Sequence, residues 1–275
     1  MAVSGRMNAF NPHDIRTVII GAGNVATHFA IGLHRVGFKV DTVVARHIES
    51  AALLADKIGA KAVLDLNEVD ADTDLVIIAT SDAAVGEVAS ALPCIRGIVA
   101  HTSGSVPLEV VAAHHRCAGV IYPLQTFSRD SDVDMSRVPF FTEATDSRSL
   151  EIIDEVAGMF GGPVHHAGSD IRARLHIAGV FACNFAVYMF EMARRELGSV
   201  GLSLDTVRPL VDVTVEKAFD IGPRLAMTGP ARRGDKDTIG KQMSLIERPD
   251  EKEIYAVISQ AIYNEFNKQD EQNTI

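Results

Sequence analysis

One short run restricts this 275-residue chain more than any other: Gly21-Ala22-Gly23-Asn24-Val25-Ala26, which follows a β-branched stretch and opens an amphipathic helix. It has the G-x-G-x-x-A form of a dinucleotide fingerprint, in the strand-to-helix context that gives the pattern meaning. Gly21 permits the tight turn, Gly23 lets the backbone approach a pyrophosphate, and Ala26 allows close helix–strand packing. The amides that open the helix, at Asn24, Val25 and Ala26, supply donors for phosphates. A Rossmann domain that no longer binds a ligand is the alternative.

The pattern around the turn repeats. Apolar or β-branched runs at residues 17–20, 40–45, 75–79, 98–102, 120–122, 138–142 and 164–166 alternate with helical periodicity, as at 24–36 and 48–58. Such alternation predicts a parallel sheet covered by helices, an α/β domain spanning residues 1–168. In the first helix Val25, Phe29, Leu33 and Val36 recur at helical spacing, and Gly37 stands where a left-handed cap belongs. After Gly168 the pattern is all-α, with helices expected at 170–197, 205–219, 236–246 and 250–266, the last opened by Asp250 with Glu253 three residues on. Residues 169–275 are therefore expected to be an all-helical substrate and dimerisation domain. The most apolar stretch, 178–190, is interrupted by Asn184 and shorter than the ~20 residues a bilayer needs, so it is expected as a buried core helix.

Composition narrows the function classes. With 47% hydrophobic and 23% charged residues the chain is expected to fold and be soluble. No apolar run stands in the first sixteen residues, so no secretory signal or anchor is expected there. Cys94, Cys117 and Cys183 lack the spacing of a disulfide framework or a metal site, so reduced thiols, a cytoplasmic location and no metal are expected. A net charge of -10 disfavours nucleic acid and anionic membrane. Residues 1–168 carry 12 Lys and Arg against 20 Asp and Glu, so an anionic cofactor must be held there by local donors.

The second strand runs out at Val43-Val44-Ala45-Arg46-His47, where an NAD-binding chain would carry an acidic residue on the adenine ribose. Arg46 instead offers a guanidinium suited to a 2′-phosphate, which favours NADP(H); a solvated arginine after a strand is the bland reading. Two more strand ends, Thr80-Ser81-Asp82 and His101-Thr102-Ser103-Gly104-Ser105, are polar and should face the cofactor. His101 could equally be a hydrogen-bonded structural group, and Asp82 a helix cap.

Catalytic candidates come from the long helix after residue 168. His176, Val180, Cys183 and Asn184 recur at four- and three-residue spacing and so share one helical stripe. His176, with an ordinary pKa of about 6.5, suits a general acid; the same pair could instead be buried polar groups that set helix register. Two irregular stretches, 123–137 and 221–235, are long enough to be functional, though solvated loops would look the same. Tyr122 and Gln125, at the first, are candidates to approach the substrate, though Pro123 could equally just set a turn there, and Arg224, Arg232 and Arg233 lie in the second, Arg232 being a candidate for an acidic substrate. Asp235 is expected to cap the following helix.

Taken together, GAGNVA at 21–26, HTSGS at 101–105, YPLQTFS at 122–128, RLHIAGVFACNF at 174–185 and TGPARRGD at 228–235 cover nearly the whole chain. With these motifs the chain resembles Rossmann-like proteins with a C-terminal domain of unknown function. That family is grouped with deazaflavin-dependent NADP oxidoreductases and, more distantly, with pyrroline-carboxylate and 6-phosphogluconate dehydrogenase types. The resemblance implies a two-domain, dimeric NADP-dependent oxidoreductase with its reaction unassigned. The combined expectation is hydride transfer between NADP(H) and a small carbonyl, imine or deazaflavin-like substrate. His176 would serve as acid/base, Asn184 and Ser103 would orient the acceptor, and a homodimer would form through the helical part. A cofactor-responsive binding protein without turnover is the alternative.

Overall fold

The structure is a computed structural model that describes residues 11–129 and 131–267, so most of the segment read as free of a leader lies outside the described residues. Among the described residues eight strands form one sheet: β1 (Arg16–Ile20), β2 (Lys39–Val44), β3 (Lys61–Val63), β4 (Leu75–Ile78), β5 (Ile98–His101), β6 (Ala118–Pro123), β7 (Phe140–Ala144) and β8 (Val164–His166). Between them run α1 (Asn24–Arg35), α2 (Ile48–Ile58), α3 (Val85–Ala91), α4 (Glu109–Ala112) and α5 (Ser147–Gly158). The strand order β3-β2-β1-β4-β5-β6-β7-β8 extends the 3-2-1-4-5-6 order of a doubly wound sheet, with its switch point between β1 and β4.

Alternation along the strands divides the core. Ile19, Ile77, Ala100 and Ile121 face Phe29 and Leu33 of α1, Leu54 of α2 and Ile153 of α5. Their neighbours Val18, Ile20, Val76, Ile78 and Val120 pack with Val85 and Ala89 of α3 and Val111 of α4. Because helices cover both faces, β4, β5 and β6 are buried at every position, and their sequences are mostly apolar, with His101 the polar end of β5.

Two details depart from the expected sheet. β3 had no signal of its own, since a three-residue edge strand is too short to show a period. β7 runs antiparallel to β6, from Pro123↔Phe140 to Gly119↔Ala144, while the other pairings are parallel. A parallel return needs a crossover, usually a helix, and the described residues between 124 and 139 contain only a single 3₁₀ turn, Met135–Arg137.

The chain forms two compact units, Met1–Cys183 and Asn184–Ile275. The first ends with α6 (Ser169–Gly179) and most of a π-helical segment, Val180–Phe185. Asn184 and Phe185 begin the second, which continues with α7 (Ala186–Ser199), α8 (Arg208–Ile221), α9 (Pro223–Ala226), α10 (Pro230–Arg233), α11 (Lys236–Leu245) and α12 (Pro249–Asn267). The Asp235 carboxylate caps α11 by accepting from the Thr238 amide at 3.0 Å. Asp250 does not cap α12: Pro249 already occupies the first helical position, and Asp250 pairs with Arg248 at 2.7 Å.

The stretch 178–190 is not a buried core helix. Phe181 is 66% and Val187 64% exposed in the isolated chain. By length and composition the 31-residue run Ser169–Ser199 is also apolar enough to cross a bilayer, with a mean hydropathy of 1.4 over its best window. The interruption at Asn184 therefore does not shorten it below that length, contrary to expectation. The π-helical turn interrupts the α spacing assumed to align His176 with Asn184.

Candidate functional site

The glycine turn sits at the carboxyl end of β1, beside the switch point. The Gly21 amide donates to the Val44 carbonyl of β2 at 2.8 Å, and the Ala79 amide beyond β4 donates to the Ile20 carbonyl at 2.8 Å. Gly21 has φ +122°, and a Cβ there would run into the Ala79 carbonyl, so only glycine fits. Gly23 is the N-cap of α1 in extended conformation and has no side chain to satisfy the first amides of the helix. A Cβ at Gly23 would meet nothing within 4 Å, because the position opens on a cavity. Ala26 lies fully buried beneath it.

That cavity, of about 580 Å³, is lined by Gly21, Gly23, Asn24 and Val25 from the turn, by Ala45, Arg46 and His47 beyond β2, and by Thr80 and Ser81 beyond β4. Among the described lining residues Glu87 of α3 is the one carboxylate, against the guanidinium groups of Arg46 and Arg129. Arg46 is exposed and makes no ion pair among the described residues. Free helix amides, an open face at Gly23 and an unpaired guanidinium at the end of β2 fit a phosphorylated dinucleotide.

Next to this wall, the ends of β4, β5 and β6 hold a second polar cluster. The Ser105 hydroxyl donates to Asp82, and Ser105 Oγ lies 3.4 Å from Ser103 Oγ. Ser103 Oγ accepts from the amides of Ser105 and Val106, both at 3.1 Å, so it braces its own loop rather than reaching outward. Asp82 does not cap a helix; its carboxylate is held by that serine. His101 is fully buried, and its Nδ1 accepts from the Ser103 amide at 3.2 Å. Its buried Nε2 has no hydrogen-bond partner among the described residues. Burial, and then the charge of Arg172, lower the His101 pKa from 6.5 to about 4, so the ring stays neutral. His101 and the adjoining Thr102, both buried, stand outside the cavity lining.

Tyr122 stands over this cluster with its hydroxyl 3.4 Å from Nδ1 of His176 on α6. Burial, and then the Asp82 carboxylate, raise the Tyr122 pKa, so the phenol remains a donor. His176 is exposed and is not among the residues lining the 580 Å³ cavity. Arg172, one helical turn before it, is completely buried and anchors α6. Its guanidinium donates to Glu143, to the Ala167 and Val106 carbonyls at 3.0 Å, and to Ser169 Oγ at 3.3 Å.

Other expected residues are engaged elsewhere. Gln125 is exposed and its side-chain oxygen accepts from the Thr126 amide at 2.8 Å. Arg232, in the second unit, donates to the Met227 carbonyl and lies 5.1 Å over the Phe266 ring, an internal brace. Asn184 is exposed in the π-helical segment. Arg129, Glu143 and Arg172 carried no local signal: they take meaning from partners tens of residues away.

Two family models match, a Rossmann-like domain over residues 2–124 and a domain of unknown function, DUF2520, over residues 138–262. A protein of Bacteroides fragilis, provisionally assigned as an NADP oxidoreductase, is 35% identical with a TM-score of 0.85, covering 92% of this chain and 100% of that one. The chain belongs to the Rossmann-like family that carries a DUF2520 domain. Other members of the fold are more distant. An imine reductase from Myxococcus stipitatus, solved with NADP+, matches at 15% identity and TM-score 0.63 over 94% of this chain and 95% of its own. A pyrroline-5-carboxylate reductase from Coxiella burnetii matches at 14% identity and TM-score 0.55 over 92% and 97%. These two share the fold alone. No curated protein matches.

Proposed function

We propose that this DUF2520 protein is an NADP(H)-dependent oxidoreductase acting on a small carbonyl, imine or deazaflavin-like substrate. One observation carries the proposal: a cavity of about 580 Å³ at the switch point, with the opening amides of α1 on one wall and, on another, Arg46, which has no ion pair among the described residues. The assignment of the 35%-identical Bacteroides relative supports the same cofactor. When bound, such a cofactor supplies or accepts a hydride.

The chain's own residues would do the rest. The turn amides bind phosphate and Arg46 takes the 2′-phosphate. Thr80 and Ser81 line the wall that leads to the Asp82, Ser105 and Tyr122 cluster. As the imidazolium, His176 would give its Nε2 proton to the substrate and return to neutral imidazole, with the Tyr122 hydroxyl, 3.4 Å from Nδ1, orienting the ring. Ser103 would take no part in substrate orientation, because its Oγ accepts from two backbone amides of its own loop. The three free cysteines fit a reducing, cytoplasmic compartment.

We also place the protein in a homodimer formed through its second unit. Neither α7 nor α8 buries any residue in the isolated chain, and Val187, Leu210, Val213 and Phe219 are exposed on them. A second copy would cover that surface.

Calorimetric dissociation constants for NADPH and NADH test the cofactor assignment. The wild type is expected to prefer NADPH, and Arg46→Ala to lose about 10- to 100-fold in NADPH affinity with NADH unchanged, the range of a lost charge-assisted contact. Equal wild-type affinities would overturn the choice of cofactor. Tight NADPH binding with no oxidation across a panel of carbonyls and imines would favour binding without turnover.

A further inference from the structure

The loop that crosses the glycine turn has no part in the roles above. Phe127, Ser128 and Arg129 lie 100 or more residues from the turn in sequence, yet each is fastened to it or to α1. Asn24 Nδ2 donates to the Phe127 carbonyl at 2.9 Å. His28 Nε2 lies 2.8 Å from the Ser128 carbonyl, and the His28 ring stacks on Phe127 with centroids 5.0 Å apart. Arg129 Nη2 donates to the carbonyl of Ala22, the middle residue of the turn, at 2.7 Å, and Arg129 lines the cavity.

Arg129 forms no ion pair among the described residues, and the Ala22 carbonyl occupies only one of its five N–H donors. It is therefore a cation held on the one part of a Rossmann turn that a pyrophosphate must approach. It also answers an electrostatic need. Residues 1–168 carry eight more acidic than basic side chains (20 against 12), so a diphosphate meets a repulsive field unless a fixed cation stands beside it. Arg46, at the end of β2, is at the adenosine side and cannot serve both places. Asn24 does not cap α1; it spends its side chain on holding the loop that presents Arg129.

Resting on the dinucleotide reading above, we propose that Arg129 binds the pyrophosphate of the cofactor, as a phosphate clamp supplied from outside the fingerprint unit, with Asn24 as its positioning residue. Arg46 would then set preference between the two nicotinamide cofactors, while Arg129 would set affinity for both.

The test measures dissociation constants of NADPH, NADH, ADP and adenosine 2′-monophosphate for the wild type, Arg129→Gln, Arg129→Lys, Asn24→Ala and Arg46→Ala. Melting temperatures are recorded alongside. Arg129 is exposed, so its variants should melt with the wild type. Arg129→Gln is expected to weaken NADPH, NADH and ADP by a common factor of about tenfold or more and to spare adenosine 2′-monophosphate. Arg129→Lys should recover part of the loss, and Asn24→Ala should reproduce a smaller one with the same ligand pattern. Unchanged affinities in Arg129→Gln, or a loss confined to NADPH and adenosine 2′-monophosphate, would overturn the clamp while leaving the dinucleotide reading intact. A wild type that binds none of NADPH, NADH and ADP would overturn both.

Discussion

His101 should contribute a definite share of this protein's destabilisation by acid. Its pKa falls from 6.5 to about 4 on folding, through burial first and the Arg172 charge second. Between those two values the unfolded chain holds a proton at this position that the folded chain does not. Stability is therefore fully present above pH 6.5 and is lost as pH drops towards 4, by about 1.4 kcal/mol per pH unit within that window. From pH 7.5 to pH 5 the unfolded side chain becomes protonated over 1.5 units of the window, which amounts to about 2 kcal/mol. Other groups titrate in the same range, so the quantity to measure is a difference between proteins. In His101→Asn, an Oδ1 stands close to where Nδ1 accepts from Ser103, and nothing titrates. Urea unfolding followed by circular dichroism at pH 7.5, 6.5, 5.5 and 5.0 gives both stability curves. The variant should start lower at pH 7.5 and converge on the wild type by about 2 kcal/mol at pH 5. Curves that stay parallel would refute the buried neutral imidazole.

The glycine turn offers a paired comparison: Gly21→Ala should unfold or strongly destabilise the first unit because its Cβ meets the Ala79 carbonyl, whereas Gly23→Ala should melt normally and lose dinucleotide affinity, read by thermal melts and calorimetry. Arg172→Met should cost about 3 kcal/mol in the same urea assay, because Glu143 is left without its buried partner. His176→Gln should keep NADPH affinity and melting temperature while turnover falls about 10²-fold, measured once a substrate is in hand; a variant that loses stability but not activity per folded molecule would return His176 to a structural role. Light scattering at micromolar concentration should give a dimer, and Phe219→Glu, on the exposed side of α8, should shift it to monomer; a wild-type monomer would refute the assembly.

What the sequence determined by itself was whatever local chemistry dictates. The glycine turn is marked by residue types inside one strand-to-helix junction, so its glycines, the opening amides of α1 and the arginine at the end of β2 could all be read before any fold was known. The doubly wound sheet followed for the same reason, because strands buried on both faces are apolar throughout and their helices carry a 3.6-residue period. Tertiary structure decided everything that depends on partners far away in the chain. Antiparallel β7 is set by pairing Phe140 with Pro123, not by any period in its own residues. The burial of Arg172 is set by carbonyls on two other segments, and nothing in a helix marks one arginine for the core. A serine such as Ser103 looks the same in sequence whether its hydroxyl meets a ligand or its own loop. Arg129 becomes part of the site only because folding brings it to Ala22, 107 residues away, and a charge placed by a non-local hydrogen bond leaves no local trace.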